Sequence, residues 1–177
     1  MDWFSKRFDN HGHAVRDRGR PSVTEIAPGL LVGEFPRPED IPWLKSEFAV
    51  TAIHNLQDDE DLALNGLREG ELAEACRQNG IKFVRTQIQD GSADAMAERL
   101  EHTLDALAKL VNSGERVYLH CNAGLNRAPT LAIAYLRAHG EMSLDEACTH
   151  VKARRACGPF MTILEDYFGP RHHKPGK

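Results

Sequence analysis

The residues best placed to do chemistry stand together in Val117-Tyr-Leu-His-Cys-Asn-Ala-Gly-Leu-Asn-Arg-Ala-Pro129. A short apolar run leads into His120 and Cys121. Five residues, Asn122, Ala123, Gly124, Leu125 and Asn126, then form a loop, and Arg127 stands where the next helix begins. Such a loop is an anion cradle: its N–H groups converge on one point, which the positive end of the helix dipole also faces. Gly124 permits a backbone turn that a side chain would block. The planar fork of Arg127 can grip two oxygens of a phosphate. In these surroundings the thiol of Cys121 is expected to fall from about 8.5 to roughly 4–7, which makes it a nucleophile at neutral pH. A lone cysteine on a strand is more often a small core residue. The whole pattern argues against that, and sulfur transfer of the rhodanese type usually has a different loop length.

Something must position this loop, and strand-like and helix-like signals alternate along the chain. Val23–Ile26 and Leu30–Gly33 read as a hairpin around Pro28-Gly29. Pro38-Glu39-Asp40 opens a short helix through Phe48, with acids in its first turn. Strands are expected over Val50–Leu56, Ile81–Ile88 and Arg116–His120. Helices are expected over Glu69–Asn79, Ala93–Asn112 and Ala128–Ala138. Ser143-Leu-Asp-Glu146 is a capping box for a last helix running through about Arg155. The alternation implies an α/β fold, a central mixed sheet flanked by helices.

The 177 residues suit a single domain, expected over 22–168 between a flexible arm, 1–21, and a flexible tail, 169–177. Trp3, Phe4 and Phe8 are the arm's candidates for docking on the body. The paired histidines of Arg171-His-His-Lys-Pro-Gly-Lys177 read as tail composition, not metal ligands. Twenty-two bases against 26 acids argue against a nucleic-acid partner. The longest apolar run, Leu131–Leu136, is too short to span a membrane, and the first residues lack the apolar core of a signal peptide. Cys76, Cys121, Cys148 and Cys157 show neither metal-ligand pairing nor a disulfide framework. A soluble, cytoplasmic monomer is expected.

His-Cys-x5-Arg is the signature of cysteine-dependent phosphatases, and this copy resembles their dual-specificity branch. Within it the chain is most similar to the glucan phosphatases, laforin and the plant starch phosphatases. His120-Cys-Asn-Ala-Gly124 resembles laforin's loop, and Gly124-Leu-Asn-Arg-Ala-Pro129 that of the plant enzymes. Leu31-Val-Gly33, Pro38-Glu-Asp-Ile41, Asn55-Leu-Gln-Asp-Asp-Glu-Asp61 and Cys157-Gly-Pro159 are also similar to stretches of the plant enzymes.

The resemblance implies phosphomonoester hydrolysis through a cysteinyl-phosphate, with no metal or cofactor, on phosphoprotein or phosphoglucan. The alternative is a catalytically idle phosphate-binding module. The family supplies an aspartic acid about thirty residues before the nucleophile, to protonate the leaving oxygen. Asp90, 31 positions before Cys121, fits. Asp94 is the competitor, and reads better as a helix N-cap. His120 is expected to orient the loop.

Relatives commonly carry Ser or Thr where Ala128 stands, and the plant enzymes carry Gly where Asn126 stands. The rings that line their sugar channel correspond here to Leu64, Asn65 and Gly91. Phe35, Trp43 and Phe160 remain as substitutes, although Trp43 is expected to pack in the core. The run Asp58-Asp-Glu-Asp61 reads as a solvated acidic loop. If it borders the pocket instead, it disfavours acidic phosphopeptides.

Overall fold

The computed structural model describes residues 19–176. The arm expected over 1–21, with Trp3, Phe4 and Phe8, lies outside the described residues except for its last three. Of those, Arg20 reaches Asp40 at 3.2 Å and lies over the Trp43 ring.

Five strands form one mixed sheet in the order β1-β2-β5-β3-β4. β1 (Val23–Ala27) and β2 (Leu30–Gly33) make the antiparallel hairpin, and Gly29 takes the positive φ of its turn. β2, β5 (Val117–His120), β3 (Ala52–Asn55) and β4 (Lys82–Arg85) run parallel. Gly33, His120 and Asn55 pair in register at the strand ends, so the loops after β2, β5 and β3 leave from one edge. Crevices at the carboxyl ends of parallel strands are where open α/β sheets bind ligands.

Period-two alternation divides the core between the two faces. Val117 and Leu119 of β5 join Leu30, Val32 and Ala52 under α4 (Ala93–Asn112), α5 (Arg127–His139), α6 (Leu144–Arg154) and α7 (Met161–Phe168). Tyr118 turns the other way, with Leu31 and Ile53, onto α1 (Ile41–Phe48) and α3 (Glu69–Gln78). α5 is buried from Arg127 through Ala134, as expected of a helix enclosed by its neighbours. Its N-terminus therefore has a fixed place beside the end of β5.

β3, β4 and β5 are shorter than the runs expected for them, because pairing stops where the chain turns into loops, whereas the hairpin strands keep or exceed their expected length. Two elements, α2 (Asp59–Leu64) and α7, go beyond the sequence reading. Both are under three turns, too short for a clear apolar period. α4 has the expected bounds, but its N-cap is Ser92, whose Oγ accepts from the Ala95 N–H at 3.1 Å. Asp94 lies inside the first turn instead, so the N-cap role expected of it is corrected. The Ser143–Glu146 capping box opens α6 as expected. Beyond α7, Arg171 pairs with Glu165 and its carbonyl accepts from the Asp145 N–H, while Lys174 pairs with Glu146.

Candidate active site

Cys121 follows the last residue of β5 and is 2% exposed, and Arg127 opens α5 fully buried. The loop between them bends through Gly124 at φ +63°, where a Cβ would collide with the Gly33 carbonyl and with Arg155 Nη2. Arg155 is the brace of this turn. Its Nε donates to the Gly124 carbonyl at 2.6 Å and its Nη2 to the Ala123 carbonyl at 3.0 Å. Further bonds reach Ser22, Thr24 and the Val32 carbonyl at the hairpin. With these carbonyls turned toward Arg155, a buried cation offsets their dipoles.

The far side of the loop is tied to the residues before α7. The Gly158 N–H donates to the Leu125 carbonyl at 2.8 Å, and Asn126 Nδ2 donates to the Gly158 carbonyl at 2.6 Å. Asn126, which departs from the plant pattern, thus adds a polar contact. Ala128 is fully buried and brings no hydroxyl. The nearby Thr130 hydroxyl is already committed, donating to the Asn126 carbonyl and accepting from the Phe160 N–H.

His120 is wholly buried and donates from Nδ1 to the Cys121 carbonyl at 3.0 Å. A carbonyl only accepts, so this bond fixes the Nδ1–H tautomer. Burial, helped by the charge of Arg127, pulls the imidazole down to about 4 despite that bond. At neutral pH it is uncharged, which suits an orienting residue rather than a proton carrier.

Arg127 is held by two carboxylates. Asp61 accepts from Nη1 at 2.6 Å, and the Ile88 carbonyl takes Nη1 as well at 2.8 Å. Asp90 Oδ1 approaches Nη2 at 2.8 Å as an ion pair, without hydrogen-bond alignment. Burial opposes the charge of Arg127, but Cys121, Asp61 and Asp90 outweigh it and hold its pKa above the ordinary value. Asp90 thus meets Arg127 across 37 positions of sequence, with its side chain 53% exposed.

The acidic run is not the solvated loop expected. Asp61 is buried, with its side chain 4% exposed. It sits in α2 behind a reciprocal cap: the Asp61 N–H donates to Asp58 Oδ1, and the Asp58 N–H to Asp61 Oδ2. Its other oxygen accepts from Asn122 Nδ2. Asn122 Oδ1 in turn accepts from Gln57 Nε2 at 2.6 Å and Asn65 Nδ2 at 3.1 Å. Asp61, Gln57, Asn65 and Arg155 were not among the site residues expected. Only Asp61 carried a local signal, the Asp-x-x-Asp spacing of a cap.

The aromatic substitutes fare poorly. Phe35 is 2% exposed, in a small cluster with Leu62 and Leu67. Trp43 packs against Phe48 on the opposite face of the sheet. Phe160 is half-buried against the core. Cys76 belongs to the opposite face too, and burial pushes its thiol up to about 12, so it is no partner for Cys121. Cys148 and Cys157 are half-buried thiols on the α5–α7 side. Among the described residues no group of His, Cys, Asp and Glu side chains forms a metal site, and no helix is long and apolar enough to cross a membrane.

Residues 37–164 match the family model of the dual specificity phosphatase catalytic domain. The phosphoglucan phosphatase DSP4, amyloplastic, of Castanea sativa is 35% identical over 147 residues, covering 79% of this chain and 38% of that protein. Human dual specificity protein phosphatase 2 is 28% identical, covering 80% of this chain and 40% of its own. The chain thus spans about two fifths of the length of these curated relatives. Among solved structures, Tk-PTP in its active form superposes with a TM-score of 0.69 at 23% identity, over 82% of this chain and 95% of that one.

Proposed function

The chain belongs to the dual-specificity phosphatase family, and from that premise we propose that it hydrolyses phosphomonoesters through a cysteinyl-phosphate on Cys121. The observation that carries the reading is the convergence of Cys121, the braced loop 122–126, the buried Arg127 and the exposed Asp90 at one sheet edge. In the first step Cys121 Sγ attacks phosphorus in line. The S–P bond forms as the ester P–O bond breaks, and Asp90 delivers its proton to the leaving oxygen. Loop N–H groups and Arg127 hold the equatorial oxygens throughout. In the second step Asp90 takes a proton from water, whose oxygen attacks phosphorus and releases the thiolate. His120, neutral and bonded to the Cys121 carbonyl, orients the loop. The reaction needs no metal, because amides and Arg127 neutralise the phosphate. An idle phosphate-binding module is the weaker reading, because nucleophile, arginine and acid are all present.

The substrate follows from the rim. A sugar chain needs several rings acting together, and Phe35 and Trp43 are withdrawn from the site. Leu64, 55% exposed, and Asn65, bonded to Asn122, occupy the corresponding aromatic positions. We therefore assign small aryl phosphates and phosphopeptides as the better substrates and long phosphoglucans as the poorer. Asp58 accepts from the Asp90 N–H, so the acidic run borders the loop of the proposed acid and disfavours peptides with acidic neighbours. The four unpaired thiols support a reducing compartment, the cytoplasm, for a soluble monomer.

The test is release of p-nitrophenol from p-nitrophenyl phosphate. Wild type should turn over in the presence of chelator, and Cys121→Ser should retain less than a few per cent of that rate while still binding vanadate. Residual activity above that sinks the nucleophile. Phosphate release from amylopectin as fast as from aryl phosphates would overturn the substrate ranking.

A further inference from the structure

The phosphate-facing arginine of such a site is useful only if the correct edge of its guanidinium is presented. That edge, Nε with Nη2, offers two parallel N–H groups to two phosphate oxygens, whereas Nη1 offers none in that direction. In this protein both protons of Nη1 are spoken for, one by Asp61 and the other by the Ile88 carbonyl. Nε and Nη2 are buried and make no hydrogen bond within the protein. The guanidinium is thus rotated so that its bidentate edge carries no hydrogen bond and meets only the ion-paired, solvent-exposed Asp90 at Nη2.

Asp61 does more than hold Arg127. Its second oxygen accepts from Asn122, the residue directly after Cys121, and Asn122 is itself fixed by Gln57 and Asn65. One buried carboxylate therefore spans both ends of the loop, the Cys121 end through Asn122 and the Arg127 end directly. Its helix also touches the acid's loop, because Asp58, the N-cap of α2, accepts from the Asp90 N–H at 3.3 Å. Burial pushes the Asp61 carboxyl up while Arg127 pulls it back.

We propose that Asp61 is a positioning residue for phosphoryl transfer, setting the distance between Cys121 and Arg127 and selecting the guanidinium edge that meets the phosphate. The proposal rests on the phosphatase reading and adds to it a residue that does not touch the substrate. A misplacement of about 1 Å in such a site can cost about 10²-fold in rate. A purely electrostatic role gives the opposite sign for binding: removing one negative charge beside Arg127 would tighten the hold on a phosphate dianion.

Two variants separate these roles on p-nitrophenyl phosphate, with inorganic phosphate as competing ligand. Asp61→Asn keeps the shape and removes the charge; Asp61→Glu keeps the charge and displaces it by one methylene. We expect kcat to fall roughly 10- to 100-fold in both, with KM within about three-fold and inorganic phosphate binding no tighter than wild type. If Asp61→Asn fails to fold, Asp61→Glu alone carries the decision, because only position changes there. An active wild type with kcat within two-fold in every folded variant overturns the proposal and leaves the phosphatase reading intact. So does a several-fold tighter inhibition by phosphate with kcat unchanged. A wild type that releases no p-nitrophenol overturns the phosphatase reading, and the proposal with it.

Discussion

Two carboxylates reach the same guanidinium from opposite environments. Asp61 approaches Arg127 from inside the protein, with its side chain 4% exposed, and shares its oxygens with Asn122 and the Asp58 N–H. Asp90 approaches from the solvent side, 53% exposed, with only a loosely aligned ion pair. The first cannot leave without stranding a charge in the core; the second can exchange its place for an incoming phosphate at little cost, because water solvates it. The contrast assigns the work. On the proposed reading the buried acid holds geometry, and the exposed one moves protons.

The strongest way to break this division is to remove what the two acids share. Arg127→Ala should lower turnover by about 10³-fold or more, the scale at which a transition-state arginine acts. It should also destabilise the fold by about 3–5 kcal/mol, because Asp61 is left buried and unpaired. Urea unfolding and p-nitrophenyl phosphate kinetics measure both. A variant as stable as wild type would mean that Asp61 is not truly buried.

Asp90→Asn isolates the exposed partner. It should cost about 10²-fold or more on substrates with poor leaving groups, and less on activated aryl phosphates, with stability nearly unchanged. It should also flatten the basic limb of the pH–rate profile. The same pattern in Asp94→Asn, but not in Asp90→Asn, would name the wrong acid.

The buried side has a pH signature of its own. His120 is held down to about 4 and His54, bonded to Thr86, to about 3, in each case chiefly by burial. Unfolded, both titrate near 6.5, so at acid pH the unfolded chain binds protons that the folded one refuses. Their contribution is fully present above about pH 6.5 and is lost as pH falls toward 4. It amounts to about 3 kcal/mol for His120 alone. Urea unfolding at pH 7 and pH 5 should differ by about 2 kcal/mol for each imidazole, and His54→Gln should reduce the difference. Equal midpoints in wild type would show that these imidazoles are not kept neutral by the fold.

The smallest effect belongs to the exposed loop's far end. Ser92→Ala should remove about 1 kcal/mol with kcat within two-fold, whereas Asp94→Asn should leave stability within about 0.5 kcal/mol. A larger loss for Asp94 would restore it as the cap.

Local signals account for much of what could be read beforehand. The strand, loop and arginine around Cys121 lie within 13 residues, so the cradle is a property of neighbouring backbone and needs no distant partner. The bounds of α4 and the cap of α6 were legible for the same reason: apolar spacing and a Ser-x-x-Glu box are local. The lateral placement of Asp90 came from resemblance, and its meeting with Arg127 is geometric.

Long-range partnership was not legible. In sequence Asp61 is one acid among four in a row, and its partner Arg127 lies 66 positions away. An aspartate is buried only when a cation or donors meet it, and β3 and β5 pairing side by side is what brings them together. Likewise Phe35 and Trp43 are simply rings until packing withdraws them from the site. The chain's own residues determined the candidate nucleophile, its cradle and the α/β alternation, because those depend on spacing along the backbone. Which acid is buried, which edge of Arg127 is left without hydrogen bonds and which rings reach solvent were decided only by tertiary structure, because burial and pairing depend on what folds alongside.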